Sequence, residues 1–462
     1  MAEKSAIPVE LGTEKIGRLL KQYALPAIIA QTASSLYNMV DSIFIGQGVG
    51  PLAISGLAVT FPLMNLSTAF GTLVGAGAAT MLSVLLGQKN YKAANKVLGN
   101  VVSLNVILGL LFMAVALIFI DPILYFFGAS ENTLPYAKEY IQIILYGNIV
   151  THLYFGLNAA MRSSGNPKKA MALTIFTVVF NTILDPIFIF VFDMGIAGAA
   201  WATVIAQTAA MIVVLKHFSD KSRAFHFEKG IFKRDPRVAK DSLVIGMGPF
   251  LMNAAACLVT LFINQQLRDY SGDLGIGSYG ICNRFIFMFI MICMGLNQGM
   301  QPIAGYNYGA KQYSRVKEVF WMTAKFGTIV TTICFCIGMF IPRLASGIFT
   351  HDEALLNMSA EGLRILTIGF PIVGFQMIGT NFFQCLGMVK KSIILSLSRQ
   401  LLFLLPLLYC LPLWMGANGV WMSFPISDVL SAILTAILLR RLFKKFNTLK
   451  DGEESTILGS NL

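Results

Sequence analysis

The stretch GQKNYKAANKV at 87–97 has a partner in GAKQYSRVKEV at 309–319, and this pairing decides the fold. Gly87 and Tyr91 align with Gly309 and Tyr313 at a shift of 222. Working outward, Pro26 in ALPAIIAQ meets Pro249 in GMGPFLMN at a shift of 223. Gly165, Lys168 and Lys169 of SGNPKK meet Gly387, Lys390 and Lys391 of LGMVKK, again at 222. MGIAGAAW at 194–201 returns as MGANGVW at 415–421. Matches in the same order along both halves read as a duplicated chain.

The composition says what was duplicated. The 462 residues are 56% hydrophobic and 13% charged. A soluble domain carries about 25% charged residues, so a soluble enzyme and a disordered chain are both excluded. A helix crosses a bilayer with about 20 apolar residues. Twelve such spans are predicted, at 21–46, 53–84, 97–120, 134–158, 168–192, 195–216, 242–267, 275–306, 318–341, 359–385, 392–413 and 417–439. Six spans per half is an even number, so both halves enter the membrane from the same side and the repeat is parallel. The expected fold is an all-α membrane protein of twelve transmembrane helices. They form two six-helix lobes related by a pseudo-twofold axis along the membrane normal. The expected organisation is an arm over 1–20, a first lobe over 21–216, a linker over 217–241, a second lobe over 242–440 and a tail over 441–462.

The net charge of +12 resembles that of a nucleic-acid binder until the charges are placed. Alternate loops hold 28 of the Lys and Arg residues, eight of them in 216–241. The opposite loops hold only Lys138, Arg268 and Arg343. The positive-inside rule then puts both termini and the central loop in the cytoplasm, with the lipid bilayer as the partner and no nucleic acid. The first twenty residues lack the short apolar core of a signal peptide. The seven cysteines sit in or at the ends of second-half spans and form no CxxC pair, so they read as free thiols. His152, His217, His226 and His351 are scattered and suggest no metal cluster. No DxxD, HExxH, GxSxG or P-loop pattern occurs, so no enzyme and no organic cofactor is expected.

A few polar residues break the apolar spans. Asp41 and Asp185 lie five and seven residues from the outer ends of spans 1 and 5, and Thr203 lies eight residues into span 6. At about 1.5 Å per residue, all three sit roughly 8–12 Å deep, at one level. Asn181 is four residues from Asp185 and shares its helix face. Pro186 cannot donate to the carbonyl of Thr182. An isolated Asp in hydrocarbon costs about 2.5–3.5 kcal/mol on insertion scales, so such residues mark function. The set Asp41, Asn181, Asp185 and Thr203 is an oxygen-rich candidate cation site, for H+ or, if sodium-coupled, for Na+. The competing reading gives Asp41 a bend-capping role and makes Asn181 and Thr203 polar links between helices.

Tyr37 and Asn38 share a face with Asp41 and are candidate supports for its carboxylate. Pro26 is a candidate hinge in span 1. In the second half the shift of 223 places Asn264 at the counterpart of Asp41, with Arg284 and Gln384 as further candidate substrate or support residues. Asp428 is expected to neutralise Arg284 or Arg399.

Four stretches resemble the multidrug and toxic compound extrusion (MATE) family: LYNMVDSIFIGQGVGPLAISGLAVTFPL (36–63), GLNAAMRSSGNPKKAM (156–171), NTILDPIFIF (181–190) and GIAGAAWATVIAQ (195–207). The resemblance runs over roughly 15–440. It departs from the sodium-coupled pattern with second-lobe acids, because NAAACLVTLFINQQL and GFPIVGFQMIGTNFFQCLG hold none within the membrane. It is nearer the branch named for DNA-damage-inducible proteins, which implies a first-lobe cation site at Asp41, Asn181, Asp185 and Thr203. The implied activity is secondary active efflux of organic, often cationic, compounds in exchange for H+ or Na+ by alternating access. The implied protein is a monomer in a prokaryotic-type cytoplasmic (inner) membrane. A lipid-linked oligosaccharide flippase of the same superfamily is the alternative, and a membrane-embedded transferase a more distant one.

Overall fold

The computed structural model describes residues 8–223, 225–227, 236–350 and 352–453, with the side chains at 38, 39, 51 and 273 outside the description. The described residues contain helices and no strand. Without water in the hydrocarbon, each N–H and C=O must find a partner within its own segment, and a helix supplies that.

The protein is an integral membrane protein of twelve helical spans in two six-helix lobes. In the first half the spans are Ile16–Gly48, Pro51–Gly87, Tyr91–Ile118, the pair Leu134–Tyr146 and Asn148–Ser163, Pro167–Pro186 continued by Ile187–Val191, and Gly195–Ser219. In the second half they are Pro236–Gly272, Leu274–Gly309, Tyr313–Phe340, the pair Glu353–Thr367 and Phe370–Cys385, Val389–Met415, and Ala417–Phe446. Numbered in this order, they are spans 1–12. Nine described helices qualify as spans by length and apolar composition, and the pair bent by 55° in span 10 makes a tenth. The other two are span 1, which carries Gln22, Gln31, Asn38 and Asp41, and span 4, interrupted at Gly147.

The halves repeat each other in their irregularities as well as in their motifs. A short helix follows span 3 at Ile120–Phe126 and span 9 at Pro342–Gly347. Span 4 breaks at Gly147, and span 10 breaks at Thr367–Phe370, which contains Gly369, the counterpart of Gly147 at the shift of 222. Spans 5 and 11 contain π-helical turns, at Ile187–Val191 and Ser398–Leu404. All seven cysteines are free, and Cys282, Cys293, Cys334 and Cys385 are buried.

Two compact units emerge, and each takes a segment from the other half of the chain. The first comprises the described residues of Met1–Thr13 and Ile29–Phe250, the second those of Glu14–Ile28 and Leu251–Leu462. The expected linker 217–241 therefore does not coincide with the division; residues 224 and 228–235 of it lie outside the described residues. Span 1 changes unit just after Pro26, and span 7 just after Pro249.

Glycine seats these borrowed segments. In the first unit a Cβ on Gly77 would lie 1.8 Å from the Ser242 carbonyl oxygen, and one on Gly246 would lie 1.8 Å from the Leu73 oxygen. In the second unit a Cβ on Gly299 would lie 2.4 Å from Ala24 Cα, and one on Gly295 2.5 Å from Ile28 Cα. Gly77 and Gly299 are counterparts at the shift of 222, as are Leu73 and Gly295. Such backbone-to-backbone approach is how small residues hold membrane helices together.

Gly77→Val should force span 7 away from span 2 and cost about 3 kcal/mol through overpacking. Gly280, on span 8, meets nothing within 4 Å. Gly280→Ala should leave stability unchanged or raise it by up to ~1 kcal/mol. Melting in detergent checks both; equal behaviour of the two variants would refute the seating role.

Candidate functional site

The first unit gathers the four predicted oxygen-bearing residues. Asp41 is 5% exposed, Asn181 2%, Asp185 0% and Thr203 6%. Asp41 comes from the outer part of span 1, Asn181 and Asp185 from one turn of span 5, and Thr203 from span 6. Pro186 has no N–H to continue the ladder to Thr182, and the chain widens at once into the π turn Ile187–Val191. There Phe192 N–H reaches the Ile187 carbonyl at 3.0 Å.

A directional hydrogen-bond chain links three of the four. Asn181 Nδ2 donates to Asp185 Oδ1 at 2.7 Å. Thr203 Oγ1 donates to Asn181 Oδ1 at 3.2 Å. That commits the threonine proton, so the Tyr37 hydroxyl, 2.9 Å away, is the donor to Thr203 Oγ1. The chain runs Tyr37 to Thr203 to Asn181 to the Asp185 carboxylate. Each donor polarises the next.

Two oxygens remain outside it. Asp41 Oδ1 and Asp185 Oδ2 are buried without a hydrogen-bond partner. The two carboxylates are within electrostatic reach of each other. Unpartnered buried carboxylate oxygens beside an amide and a hydroxyl are the donor set of a hard cation or of a proton. The residues therefore fit either ion.

The other sequence candidates are placed differently. Tyr37 supports the site, but through Thr203 rather than through the Asp41 carboxylate as expected. The side chain of Asn38 lies outside the described residues. Pro26 is buried within a span 1 that stays helical, in the stretch belonging to the second unit. Asn264, Arg284 and Gln384 also belong to the second unit. Asn264 lines a shallow pocket with Gln265, Arg268 and Asp269. Gln384 is buried, and Arg284 is exposed with no ion pair among the described residues. Asp428 pairs with Arg399, not with Arg284.

One site residue escaped the sequence reading. Tyr140, on span 4 and 1% exposed, interacts with Thr203 and faces Asp41. It packs among Ile45, Ala53, Ile189, Ile196, Ala199 and Ala200. The break at Gly147 admits span 4 here: a Cβ at Gly147 would lie 2.5 Å from Val204, the neighbour of Thr203. Tyr140 stands six residues from the start of its helix, so depth alone would have placed it level with Asp41.

The fold and this site define a duplicated membrane transporter of the kind that carries its ion site in one lobe. The MatE family model matches residues 26–187 and 248–410, one copy on each half, and the chain belongs to that family. It is 28% identical over 426 residues to the multidrug export protein MepA of Staphylococcus aureus, covering 92% of this chain and 94% of MepA. A solved structure of the MATE multidrug transporter DinF-BH in complex with the dye rhodamine 6G is 36% identical, with a TM-score of 0.88, covering 95% of this chain and 98% of that one. An outward-facing MATE family transporter of the MOP superfamily shares the fold at a TM-score of 0.90 and 22% identity, over 97% of this chain and 100% of that one.

Thr203→Val should strand both the Tyr37 hydroxyl and Asn181 Oδ1, at about 1–3 kcal/mol. Thr203→Ser should retain most of the stability. A melting series in detergent that ranks valine with serine would refute the chain.

Proposed function

We propose that the protein is a secondary multidrug antiporter that exports organic, often cationic, compounds against the inward movement of H+ or Na+. The observation that carries this reading is the pair of unpartnered oxygens on Asp41 and Asp185, held in hydrocarbon beside Asn181 and Thr203. Leaving two acids unneutralised there is costly unless an ion serves them in turn. Similarity to a multidrug export protein and to a transporter bound to rhodamine 6G supports the substrate class.

The coupling follows from the wiring. A cation entering from outside binds the free carboxylate oxygens. It pulls on Asp185, and through Asn181 and Thr203 on Tyr37 of span 1. Span 1 thereby reports ion occupancy, and alternating access releases the ion to the cytoplasm. One charge moving down 100 mV supplies about 2.3 kcal/mol, roughly a fifty-fold concentration gradient. The protein acts as a monomer in a prokaryotic-type cytoplasmic membrane, with both termini inside.

Dye efflux from proteoliposomes under separate H+ and Na+ gradients tests this. One of the two should drive export, and Asp41→Asn should reduce driven export at least tenfold while inserting normally. Undiminished driven export by that variant would overturn the reading.

A further inference from the structure

The second unit builds a charged site on the same framework and gives it the opposite character. Gly147 lies against Val204 in the first unit. Its counterpart Gly369 lies against Pro425, which is itself the counterpart of Thr203 at the shift of 222. A Cβ on Gly369 would lie 3.2 Å from Pro425 Cα and 3.3 Å from Asp428 Oδ2. Asp428 is 2% exposed and accepts from Arg399 Nε at 2.7 Å. Arg399 sits on the π-helical turn Ser398–Leu404 of span 11, the span that repeats span 5. The broken span, the π-widened span and the following span thus meet at a carboxylate in both units.

The charges differ. Two acids share the first site with no basic partner, whereas in the second an arginine neutralises the single acid. That arginine is not used up. It touches Asp428 through Nε alone, and its side chain remains 26% exposed. Its two terminal NH2 groups have no acceptor among the described residues. They form the end-on fork that receives a carboxylate in two parallel hydrogen bonds. Asp428 fixes the guanidinium plane, so little side-chain freedom is lost on binding. Aromatic rings stand beside it: Tyr279, within electrostatic reach of Arg399, lies 5.7 Å from Phe424 and 6.3 Å from Trp421, centroid to centroid.

We propose that Arg399, oriented by Asp428, binds the carboxylate of transported compounds that carry one beside their cationic group. A carboxylate would be repelled at Asp41 and Asp185 and received here, which extends the substrate class from organic cations to zwitterions. The inference rests on the export reading above for its biological role, while its chemistry is tested by binding alone.

The test uses the full-length protein in detergent and two matched probes, the cationic ester dye rhodamine 6G and the free acid left when its ester is hydrolysed. Affinities are measured by fluorescence polarisation for the unaltered protein, Arg399→Lys and the double variant Arg399→Gln with Asp428→Asn, which leaves no buried charge unpaired. The readout is the free-acid-to-ester affinity ratio. It should fall about tenfold in the double variant and several-fold in Arg399→Lys, where a point charge replaces the fork. A ratio unchanged within twofold in either variant, or no binding of the free acid by the unaltered protein, overturns the proposal. If the double variant does not fold, Arg399→Lys decides. Efflux of the ester dye by the unaltered protein is scored separately: its absence sinks the export reading and leaves the binding ratio intact.

Discussion

Hydrocarbon offers no water to a peptide group, and this one constraint shapes the rest of the molecule. It makes every span a helix and turns each departure from helix into a local problem needing a local answer. The departures are few and are not scattered. Pro186 removes a donor one residue after Asp185, and the chain answers with a π turn. Gly147 interrupts span 4 where it meets Val204, and Gly369 lies in the break of span 10 where it meets Pro425 and Asp428. Irregular backbone and buried carboxylates therefore occupy the same places, in both copies of the repeat.

A buried acid needs compensation, and the two units solve the problem in different ways. The first uses neutral donors, with Tyr37, Thr203 and Asn181 relaying hydrogen bonds into Asp185, and leaves oxygens over on Asp41 and Asp185. The second uses a guanidinium, with Arg399 meeting Asp428 directly. Neutral donors hold a carboxylate without cancelling its charge, so that site still attracts a cation. A guanidinium cancels the charge, and no cation is called for. One duplicated framework thus carries two electrostatic characters, separated by a handful of substitutions.

Much of this was legible in the amino acids. The motif at 87–97 and its partner at 309–319 revealed the duplication, and the spacing of apolar runs placed twelve spans whose observed ends differ mostly by a few residues. The largest extensions were at span starts: span 3 begins at Tyr91 rather than 97, and span 10 at Glu353 rather than 359, because polar residues at the membrane surface continue a helix that hydropathy does not register. The four oxygen-bearing residues were legible because each is costly in hydrocarbon. Tyr140 was not, since a tyrosine in an apolar helix is cheap and common at membrane boundaries. The partner of Tyr37 was also misjudged: shared helix face pointed to Asp41, but the nearer acceptor stood on another span.

The same division holds at the level of the whole chain. Composition and a repeat at a shift of 222 suffice for the helical class, the number of spans and the acids worth suspecting, because hydrophobicity and duplication are properties of residues in order. Pairings are properties of residues in space. That Asp428 takes Arg399 rather than Arg284, that Thr203 stands between Tyr37 and Asn181, and that Ala24 and Ile28 seat against Gly299 and Gly295 all depended on packing. Hydrogen bonds and backbone contacts form over about 3 Å, a distance that spacing along a sequence does not resolve once two different helices are involved.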